Sequence, residues 1–220
     1  MLRILYGGTF DPVHEGHLAI ARTVADEFGQ PVSLIPSADP PHRSAPGADA
    51  EQRACMLDLA VAGDPRLSVD RRELRRHSQS FTIDTLTQVR QELGPAASII
   101  WVLGIDSLVQ LDTWREWRRM FSLAHVLGAE RPQTSVEKSW LQERAPEVYA
   151  EVAPRWREPM ELAHRPCGLY APLPIRPLRM ESATDIRHCI ASGQPWADSV
   201  PAAVAEYIRD AGLYRSAPGR

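Results

Sequence analysis

The sequence predicts an α/β protein built on a doubly wound parallel sheet, and two observations lead to this fold class. Segments of strand and helix character alternate through the first half of the chain, as they do when helices cross over between parallel strands. The run 98–103 is apolar almost throughout, which suits a central strand covered on both faces. In such sheets ligands bind beyond the carboxyl ends of the strands, near the point where the strand order reverses.

Short apolar runs mark the expected strands. The candidates are Leu2–Tyr6 and the ranges 31–36, 67–70, 98–103 and 124–129. Pro172, Pro174 and Pro177 interrupt the later stretch 168–180, so that stretch is expected to supply an edge strand at best. The first strand and the strand at 98–103 each run directly into a glycine turn, and these two turns are candidate ligand sites.

Apolar spacing and capping residues mark the expected helices. They are a helix through Leu18 that stops at Gly29, one over 50–62 between Asp49 and Gly63, one capped by Thr82 and stopped by Gly94, one over 182–193, and a last helix with Pro201 in its first turn and Gly212 as its C-cap. Residues 113–117 begin or precede a further helix, whereas residues 133–166 show no readable pattern. The chain is expected to form a single domain over 1–220.

Composition and charge argue against several classes of protein. Of the 220 residues, 44% are hydrophobic and 24% are charged, and the net charge of −3 gives no general attraction to nucleic acid or to an anionic membrane. No apolar run reaches the length of a membrane span, and the first strand leaves no room for a signal peptide. Cys55, Cys167 and Cys189 are far apart and odd in number, so unpaired thiols in a reducing cytoplasm are expected. The oligomeric state stays open.

Residues 7–17 are the most informative stretch because they place a glycine turn between a strand and a helix start. Backbone N–H groups and the helix dipole favour an anion at such a position. Gly7 and Gly8 would let a phosphate approach the backbone, and His14 and His17 lie about one helical turn apart, so both can face it. The spacing matches neither the dinucleotide-binding fingerprint nor the P-loop, and a glycine turn with two surface histidines is the simpler alternative.

A second candidate anion site begins at Ser182. Ser182 and Thr184 supply hydroxyl groups at a helix start, and Arg187 follows within about one turn with a fixed positive charge. Taken alone, this pattern is equally an ordinary capped helix with a surface arginine. Together with the first motif it would hold one triphosphate from two sides, so the helical part from about 180 to 215 is expected to complete the site.

The two motifs together resemble those of a known enzyme superfamily. The first contains the H-x-G-H signature of the nucleotidylyltransferases, and the string GGTFDPVHEGH is similar to that of bacterial nicotinate-nucleotide adenylyltransferases. The second resembles the I-S-[ST]-T-x-x-R signature of the same superfamily, except that Glu181 stands where isoleucine is usual. The strings PPHR, GIDSL, TWREW and ERP follow in that family's order, so the resemblance covers nearly the whole chain apart from residues 133–166.

The resemblance implies a Rossmann-like nucleotidylyltransferase fold and a defined reaction. AMP would pass from ATP to nicotinate mononucleotide, giving nicotinate adenine dinucleotide and pyrophosphate in NAD biosynthesis. Mg²⁺ would be the cofactor, held mainly through the ATP phosphates, with no dedicated protein ligands. Two alternatives stay open, namely an adenylyltransferase acting on nicotinamide mononucleotide or phosphopantetheine, and a nucleotide-binding regulator without turnover. The expected partners are ATP and nicotinate mononucleotide, with no nucleic acid and no membrane.

Carried over residue by residue, the resemblance implies three groups of site residues. The catalytic group is His14, His17 and Arg187. The ATP-binding group is Gly7, Gly8, Thr9, Phe10, Gly104, Asp106, Arg131, Ser182 and Thr184, with Gly104 and Asp106 at the adenosine ribose and Arg131 at the outer phosphates. The acceptor group is His42 and Arg43 at the mononucleotide phosphate, and Phe81, Thr82, Trp114 and Arg115 around the nicotinate ring and its carboxylate.

Overall fold

The computed structural model describes residues 1–38, 47–76 and 80–215, and a six-stranded parallel sheet forms the centre of these residues. The strands are β1 (Leu2–Gly8), β2 (Val32–Pro36), β3 (Leu67–Val69), β4 (Ser98–Gly104), β5 (His125–Ala129) and β6 (Tyr170–Leu173). They lie in the order β3-β2-β1-β4-β5-β6, and every neighbouring pair is parallel. The strand order reverses between β1 and β4, where Leu2 pairs with Ser98 and Tyr6 with Val102.

The α-helices connect these strands and follow the last of them. They are α1 (Glu15–Phe28), α2 (Ala50–Val61), α3 (Thr82–Leu93), α4 (Ile105–Leu108), α5 (Met120–Leu123), α6 (Lys138–Arg144), α7 (Pro146–Val152), α8 (Ala183–Ser192) and α9 (Ala202–Asp210). Residues 113–117 precede α5 and do not begin it. Across the described ranges, no helix combines the length and the apolar character needed to cross a membrane.

Helices pack on both faces of the sheet and bury alternate residues of its strands. Ile4 and Tyr6 of β1 belong to one core, with residues from α1, α2, α8 and α9, whereas Leu5 belongs to the other, with residues from α3, α5 and α7. Ile100 and Trp101 of β4 divide between the two cores in the same way. This alternation follows from the period of two along a strand. The predicted α/β class and doubly wound parallel sheet are confirmed.

Most of the predicted helices occur, with corrections at their ends. Thr82 is not the cap of α3 but its first residue, and Phe81 occupies the cap position without a side-chain hydrogen bond. Pro201 is the cap residue of α9 and not part of its first turn, and Gly212 follows the C-cap Ala211 with a φ of 62°. Such shifts arise because packing and backbone geometry, as well as side-chain preference, set the end of a helix.

Residues 133–166, for which the sequence pattern predicts no secondary structure, contain α6, α7 and two short 3₁₀ helices. Leu141, Val148 and Val152 of these helices are buried in the second core. Each of the two α-helices has only 7 residues, so too few apolar positions recur for a periodicity to show. Within 168–180, β6 lies at the edge of the sheet, as the proline pattern predicts.

Gly7 and Gly8, at the end of β1, make room for two aromatic rings. A Cβ atom at Gly7 would lie 2.2 Å from the Trp101 ring, and one at Gly8 would lie 2.8 Å from the Phe10 ring. Neither distance is compatible with a side chain unless the ring moves. Close approach by a phosphate, the reason that the sequence suggests, is therefore not the only constraint on these glycines.

The contact between Gly7 and Trp101 predicts that Gly7→Ala destabilises the fold. Overpacking a well-packed core typically costs about 1–3 kcal/mol, and the free energy of unfolding in urea should fall by about this amount. Trp101→Phe removes the part of the indole that faces Gly7, so the double variant should recover part of the loss. Wild-type stability in Gly7→Ala, or simple addition of the two losses in the double variant, would contradict this packing.

Candidate active site

The turn between β1 and α1 places two histidines at the start of the helix. His14 is the N-cap residue, and its carbonyl accepts hydrogen bonds from the N–H groups of His17 and Leu18. The N–H of His14 in turn donates to Nδ1 of His17 over 3.3 Å. Because Nδ1 accepts this bond, the neutral His17 ring carries its proton on Nε2, which makes Nε2 a hydrogen-bond donor.

The imidazole rings of His14 and His17 are stacked, with centroids 3.7 Å apart and planes inclined by 30°. Phe10, whose backbone is left-handed with a φ of 52°, places its ring edge-on to His17 at 5.0 Å. His14 is fully buried, and neither of its ring nitrogens has a hydrogen-bond partner in the described part of the chain. The simpler alternative of two surface histidines is therefore wrong. A buried polar group without a partner is unfavourable, and a bound ligand is one way to satisfy it.

Both histidines are neutral at pH 7. Burial, reinforced by the charge of Arg131, lowers the pKa of His14 to about 3. Burial is also the main cause that lowers the pKa of His17 well below 6.5, followed by the repulsion that His14 and then Arg131 would exert on a protonated His17 ring. A negatively charged ligand would oppose both shifts because it stabilises the protonated form. Without such a ligand, the pair offers N–H donors and no positive charge.

The ends of β4 and β5 bring Gly104, Asp106 and Arg131 together. A Cβ atom at Gly104 would lie 2.1 Å from Oδ1 of Asp106 and 3.1 Å from Cγ of Arg131, so the absence of a side chain leaves room for both residues at this turn. The charge of Arg131 acts on Tyr6 as well as on the histidine pair. The residues that the resemblance assigns to the adenosine ribose and the outer phosphates thus lie near the two histidines.

The start of α8 packs against the start of α1. The carbonyl oxygen of Glu181 lies 3.4 Å from the position that a Cβ atom would take at Gly16. Ser182 is the N-cap of α8, and its hydroxyl accepts a hydrogen bond from the N–H of Asp185 at 3.5 Å. Glu181 stands where isoleucine is usual in the family. Its carboxylate accepts a hydrogen bond from Nε of Arg179 at 3.2 Å, so its charge is paired. The two motifs are therefore neighbours although they are remote in sequence.

Arg187 is anchored at this junction by two hydrogen bonds. Its Nη1 donates to the carbonyl of Asp11 at 2.6 Å, and its Nη2 donates to the hydroxyl of Thr184 at 3.3 Å. Its side chain is 34% exposed, so it is accessible to a ligand. A guanidinium has five N–H groups, and the groups that these bonds do not use are available to an anion.

A cleft of about 580 Å³ adjoins the end of β1. Its lining includes most of the predicted acceptor group together with the glycine turn, namely Gly7, Gly8, Thr9, Phe81, Thr82, Trp114 and Arg115, and also Asp106. The Arg115 guanidinium lies 4.8 Å from the centroid of the Phe81 ring. Thr82 begins α3, so the first N–H groups of this helix have no intrahelical partner and favour a negative charge in the cleft.

Two of the predicted acceptor residues, His42 and Arg43, lie outside the described residues. The other predicted site residues fall into three adjoining groups. The first is the histidine pair, which lies near Phe10, Gly104 and Arg131. The second is the start of α8, with Ser182, Thr184 and Arg187, and the third is the set of residues that line the cleft. The structure therefore brings together sequence motifs that begin 175 residues apart, from Gly7 to Ser182.

Glu73 is a cleft residue that sequence reasoning missed. It is 5% exposed, and its carboxylate accepts a hydrogen bond from the Thr85 hydroxyl at 2.6 Å. Burial raises its pKa, while this bond, the charge of Arg76 and a backbone hydrogen bond from Ala38 oppose the shift. In the sequence Glu73 stands within a run of arginines that is typical of a solvated face, so no local signal distinguishes it.

Arg53 is a second residue that sequence reasoning missed. It is fully buried, its Nη1 donates to the carbonyl of Thr9 at 2.7 Å, and its Nη2 donates to the carbonyl of Ser37 at 2.8 Å. It therefore ties together the segments that follow β1 and β2. The sequence feature that could have indicated this burial is the position of Arg53 close to Ala54 and Met56, which are also buried in α2.

The lowered pKa values of His14 and His17 predict a loss of stability in mild acid. A base whose pKa is lowered on folding takes up its proton mainly after unfolding, so acid below pH 6.5 favours the unfolded state. For His14 the free energy of unfolding should fall by about 1 kcal/mol between pH 7 and pH 5.5. In urea denaturation at both pH values, His14→Gln should lose less stability than wild type by about this amount. Identical pH dependence of the two proteins would contradict a neutral His14.

The chain matches the family model described as cytidylyltransferase-like over residues 5–188. A relative from Stenotrophomonas maltophilia strain K279a, named probable nicotinate-nucleotide adenylyltransferase, is 47% identical, and the match covers 98% of this chain and 97% of the relative. A relative of the same name from Yersinia enterocolitica is 42% identical, with 97% and 96% covered.

Solved structures share the fold at low sequence identity. The structure of Plasmodium falciparum nicotinic acid mononucleotide adenylyltransferase complexed with NaAD has a TM-score of 0.71 and 17% identity to this chain, and the match covers 97% of both chains. The structure complexed with APC has a TM-score of 0.70 and 16% identity, with 97% and 96% covered. These likenesses confirm the nucleotidylyltransferase fold that the sequence predicts. Since the family model and relatives above 40% identity extend over most of its length, the chain belongs to the nicotinate-nucleotide adenylyltransferase family.

Proposed function

We propose that this protein transfers the AMP group of ATP to nicotinate mononucleotide and releases pyrophosphate, which is a step of NAD biosynthesis. By family it is a nucleotidyltransferase, and its relatives are named for this activity. The observation that carries the proposal is the meeting of the α1 and α8 starts next to a cleft with aromatic residues. Paired helix starts suit a triphosphate, and an aromatic cleft suits a pyridine ring.

The ATP phosphates bind at the junction of the two helix starts. His17 donates from Nε2, and His14 donates from one of its unpartnered ring nitrogens. Thr184 and the free N–H groups of Arg187 approach from α8, and Arg131 adds a positive charge at the outer phosphates. This assignment explains why a fully buried imidazole without a partner is placed at a helix N-terminus.

The reaction is an in-line displacement at the α-phosphorus of ATP. A phosphate oxygen of the mononucleotide forms the new P–O bond, while the bond to the bridging oxygen of the leaving pyrophosphate breaks. The attacking oxygen is already an anion, so the protein needs neither a covalent intermediate nor a strong base. Its task is to hold two anions in line against their repulsion and to stabilise charge on the α-phosphate. Neutral N–H donors such as Nε2 of His17 suit that role.

The cleft holds the nicotinate ring with its carboxylate toward the start of α3. The N–H groups of this helix start favour a carboxylate over an amide, because the NH₂ of an amide would meet donors with another donor. Arg115, stacked on Phe81, adds a positive charge to the same cleft, and Trp114 offers a flat face for the ring. The Asp106 carboxylate, also in the cleft, is assigned to the adenosine ribose.

Mg²⁺ is the proposed cofactor and enters with ATP. Mg²⁺ keeps several water ligands and is usually bound through substrate phosphates and one or two carboxylates. Near the proposed phosphate position the side chains include imidazoles, guanidiniums and hydroxyls, and the Asp11 carboxylate beside Arg187 already accepts three hydrogen bonds. Among the described residues no group of three or more histidine, cysteine, aspartate or glutamate side chains is placed to hold a metal. Phosphates and water would therefore supply the ligands, and the ion would offset charge on the triphosphate.

We further propose that residues 1–220 form one domain whose C-terminal helices complete the ATP site. Ile186 of α8 and Val204 and Ile208 of α9 share a core with β1 and α1, which supports this division. A cytoplasmic location is proposed because Cys55, Cys167 and Cys189 are unpaired thiols.

The direct test is pyrophosphate release from ATP and Mg²⁺ with each possible acceptor. We expect release with nicotinate mononucleotide and formation of nicotinate adenine dinucleotide. Preference for nicotinamide mononucleotide or phosphopantetheine would replace the acceptor but keep the reaction. ATP binding without release of pyrophosphate from any acceptor would identify a nucleotide-binding regulator and refute the proposed reaction.

His17→Ala should reduce turnover more than it reduces ATP binding. Removal of one donor that stabilises charge in the transition state typically lowers kcat by about 10²–10³. Steady-state kinetics should show this loss with a smaller change in the KM for ATP. His164→Ala is the matched control, because His164 is exposed and follows Leu162, whose carbonyl accepts a hydrogen bond from Ser98 at the end of β4 opposite to Gly104. A His17→Ala variant with the kcat of wild type would remove His17 from the catalytic group.

The cleft predicts a preference for the acid over the amide as acceptor. A hydrogen bond to a charged group contributes about 1.5–3 kcal/mol, so kcat/KM should favour nicotinate mononucleotide over nicotinamide mononucleotide by about tenfold to a hundredfold. Arg115→Met should reduce that ratio by about fivefold, a modest factor because Arg115 is half exposed and screened by solvent.

Arg118→Met is the control for Arg115→Met. Arg118 is also a guanidinium over an aromatic ring, 4.2 Å from the centroid of the Trp117 ring, but it is not part of the cleft lining. Its replacement should leave the ratio of the two acceptors unchanged. Equal efficiencies for the two acceptors in wild type would remove Thr82 and Arg115 from the proposed site.

A further inference from the structure

Asp11 joins distant segments of the chain at the edge of the proposed ATP site. Its carboxylate is nearly buried and accepts three hydrogen bonds. The N–H of Gly47 donates to Oδ2 at 3.0 Å, the N–H of Ala48 donates to Oδ1 at 3.2 Å, and the hydroxyl of Tyr214 donates to Oδ1 at 2.7 Å. Asp11 and Tyr214 are 203 positions apart in the sequence.

Tyr214 is fitted closely into this cluster. Its backbone is left-handed, with a φ of 62°, and its ring occupies the space where Gly47 would carry a side chain. A Cβ atom at Gly47 would lie 2.5 Å from Cδ1 of Tyr214. Burial and the neighbouring charge of Asp11 raise the pKa of the Tyr214 hydroxyl far above its usual value. The hydroxyl therefore stays protonated and remains the donor in its bond to Asp11.

Arg187 is the third member of the cluster. Its Nη1 donates to the Asp11 carbonyl at 2.6 Å and lies 3.7 Å from Oδ2 of the same residue. A Cβ atom at Gly47 would also lie 3.5 Å from Cδ of Arg187, so the stem of the arginine runs past the same position that the Tyr214 ring fills. Because the backbone and the side chain of Asp11 both contact Arg187, a change in the orientation of Asp11 displaces the guanidinium.

We propose that Tyr214 and Asp11 form a positioning pair that holds the Arg187 guanidinium at the ATP phosphates. This inference rests on the proposed function, since it concerns the arginine assigned there to ATP. Tyr214 acts through Asp11, because its hydroxyl is already used in the bond to that carboxylate. Neither residue belongs to the groups that the sequence motifs assign to catalysis or binding.

Tyr214→Phe tests the pair directly, because it keeps the ring beside Gly47 and removes only the hydroxyl. The KM for ATP should rise by about five- to tenfold, less than for loss of a direct hydrogen bond to a charged group, because Tyr214 acts on ATP only through Asp11 and Arg187. The kcat and the KM for nicotinate mononucleotide should stay within about twofold. Tyr207→Phe on α9 is the matched control and should leave all three constants unchanged. Wild-type KM for ATP in Tyr214→Phe would overturn the proposal.

A double-variant cycle shows whether Tyr214 acts through Arg187. In an Arg187→Lys background, which loses the guanidinium geometry but keeps a charge, Tyr214→Phe should change the KM for ATP by less than about twofold. The same five- to tenfold effect in both backgrounds would mean that Tyr214 acts by another route, and would overturn the proposal. Asp11→Asn, which removes the charge at nearly constant size, should raise the KM for ATP at least as much as Tyr214→Phe.

Calorimetric titration with ATP alone separates this inference from the proposed reaction. The affinity for ATP should fall in Tyr214→Phe by the same factor as the KM rises, even if no acceptor is turned over. A wild type that binds ATP but releases no pyrophosphate would refute the proposed reaction and leave this test valid. Equal ATP affinities of wild type and Tyr214→Phe would overturn the positioning pair, and circular dichroism of each variant checks that it is folded.

Discussion

The contact between the start of α1 and the start of α8 is the constraint on which the rest of the site depends. It is held by the hydrogen bond from Arg187 to the Asp11 carbonyl, across 176 positions of sequence, and by the fit of the Glu181 carbonyl against Gly16. One helix start offers a few N–H groups to an anion, whereas two that meet can contact a triphosphate from different directions. The sheet positions α1 directly through β1, whereas α8 is anchored by Ile186, which is buried in the same core. The stability of that core and the geometry of the proposed phosphate site are therefore linked.

The lowered pKa values of the histidine pair mean that N–H donation and positive charge come from different side chains at the junction. His14 and His17 are neutral, so the positive charge near the proposed phosphate position comes from Arg131 and Arg187. In the proposed site, fixed charges of this kind would attract ATP in its ground state and in the transition state alike. A directed N–H donor next to the reacting phosphorus would favour the state in which charge has moved onto its oxygens. The low pKa values of the two histidines thus suit a site in which binding and transition-state stabilisation are carried by different side chains.

The local features of this fold could be predicted from the sequence, and the long-range contacts could not. The alternation of strands and helices, the edge position of β6 and the cap at Ser182 all follow from patterns within about ten residues. The short helices α6 and α7 were missed because 7 residues carry too little periodicity. Asp11 and Tyr214 were missed because their bond joins residues 203 positions apart, and no local pattern records a partner at that distance. The burial of Glu73 was missed for a different reason, because its basic neighbours are typical of a solvated face.

Four glycines around the site make room for neighbouring side chains. Gly7, Gly16, Gly47 and Gly104 adopt no positive φ among the described residues, so space and not backbone freedom explains them. At each one a Cβ atom would come within about 3 Å of another side chain, which is Trp101, His14, Tyr214 and Asp106 respectively. Three of these four neighbours line the cleft or contact the proposed phosphate residues directly. A methyl group at any of these positions would move a side chain of the site before it strained the backbone, so the absence of side chains at the glycines helps to fix the position of the groups that surround the ligands.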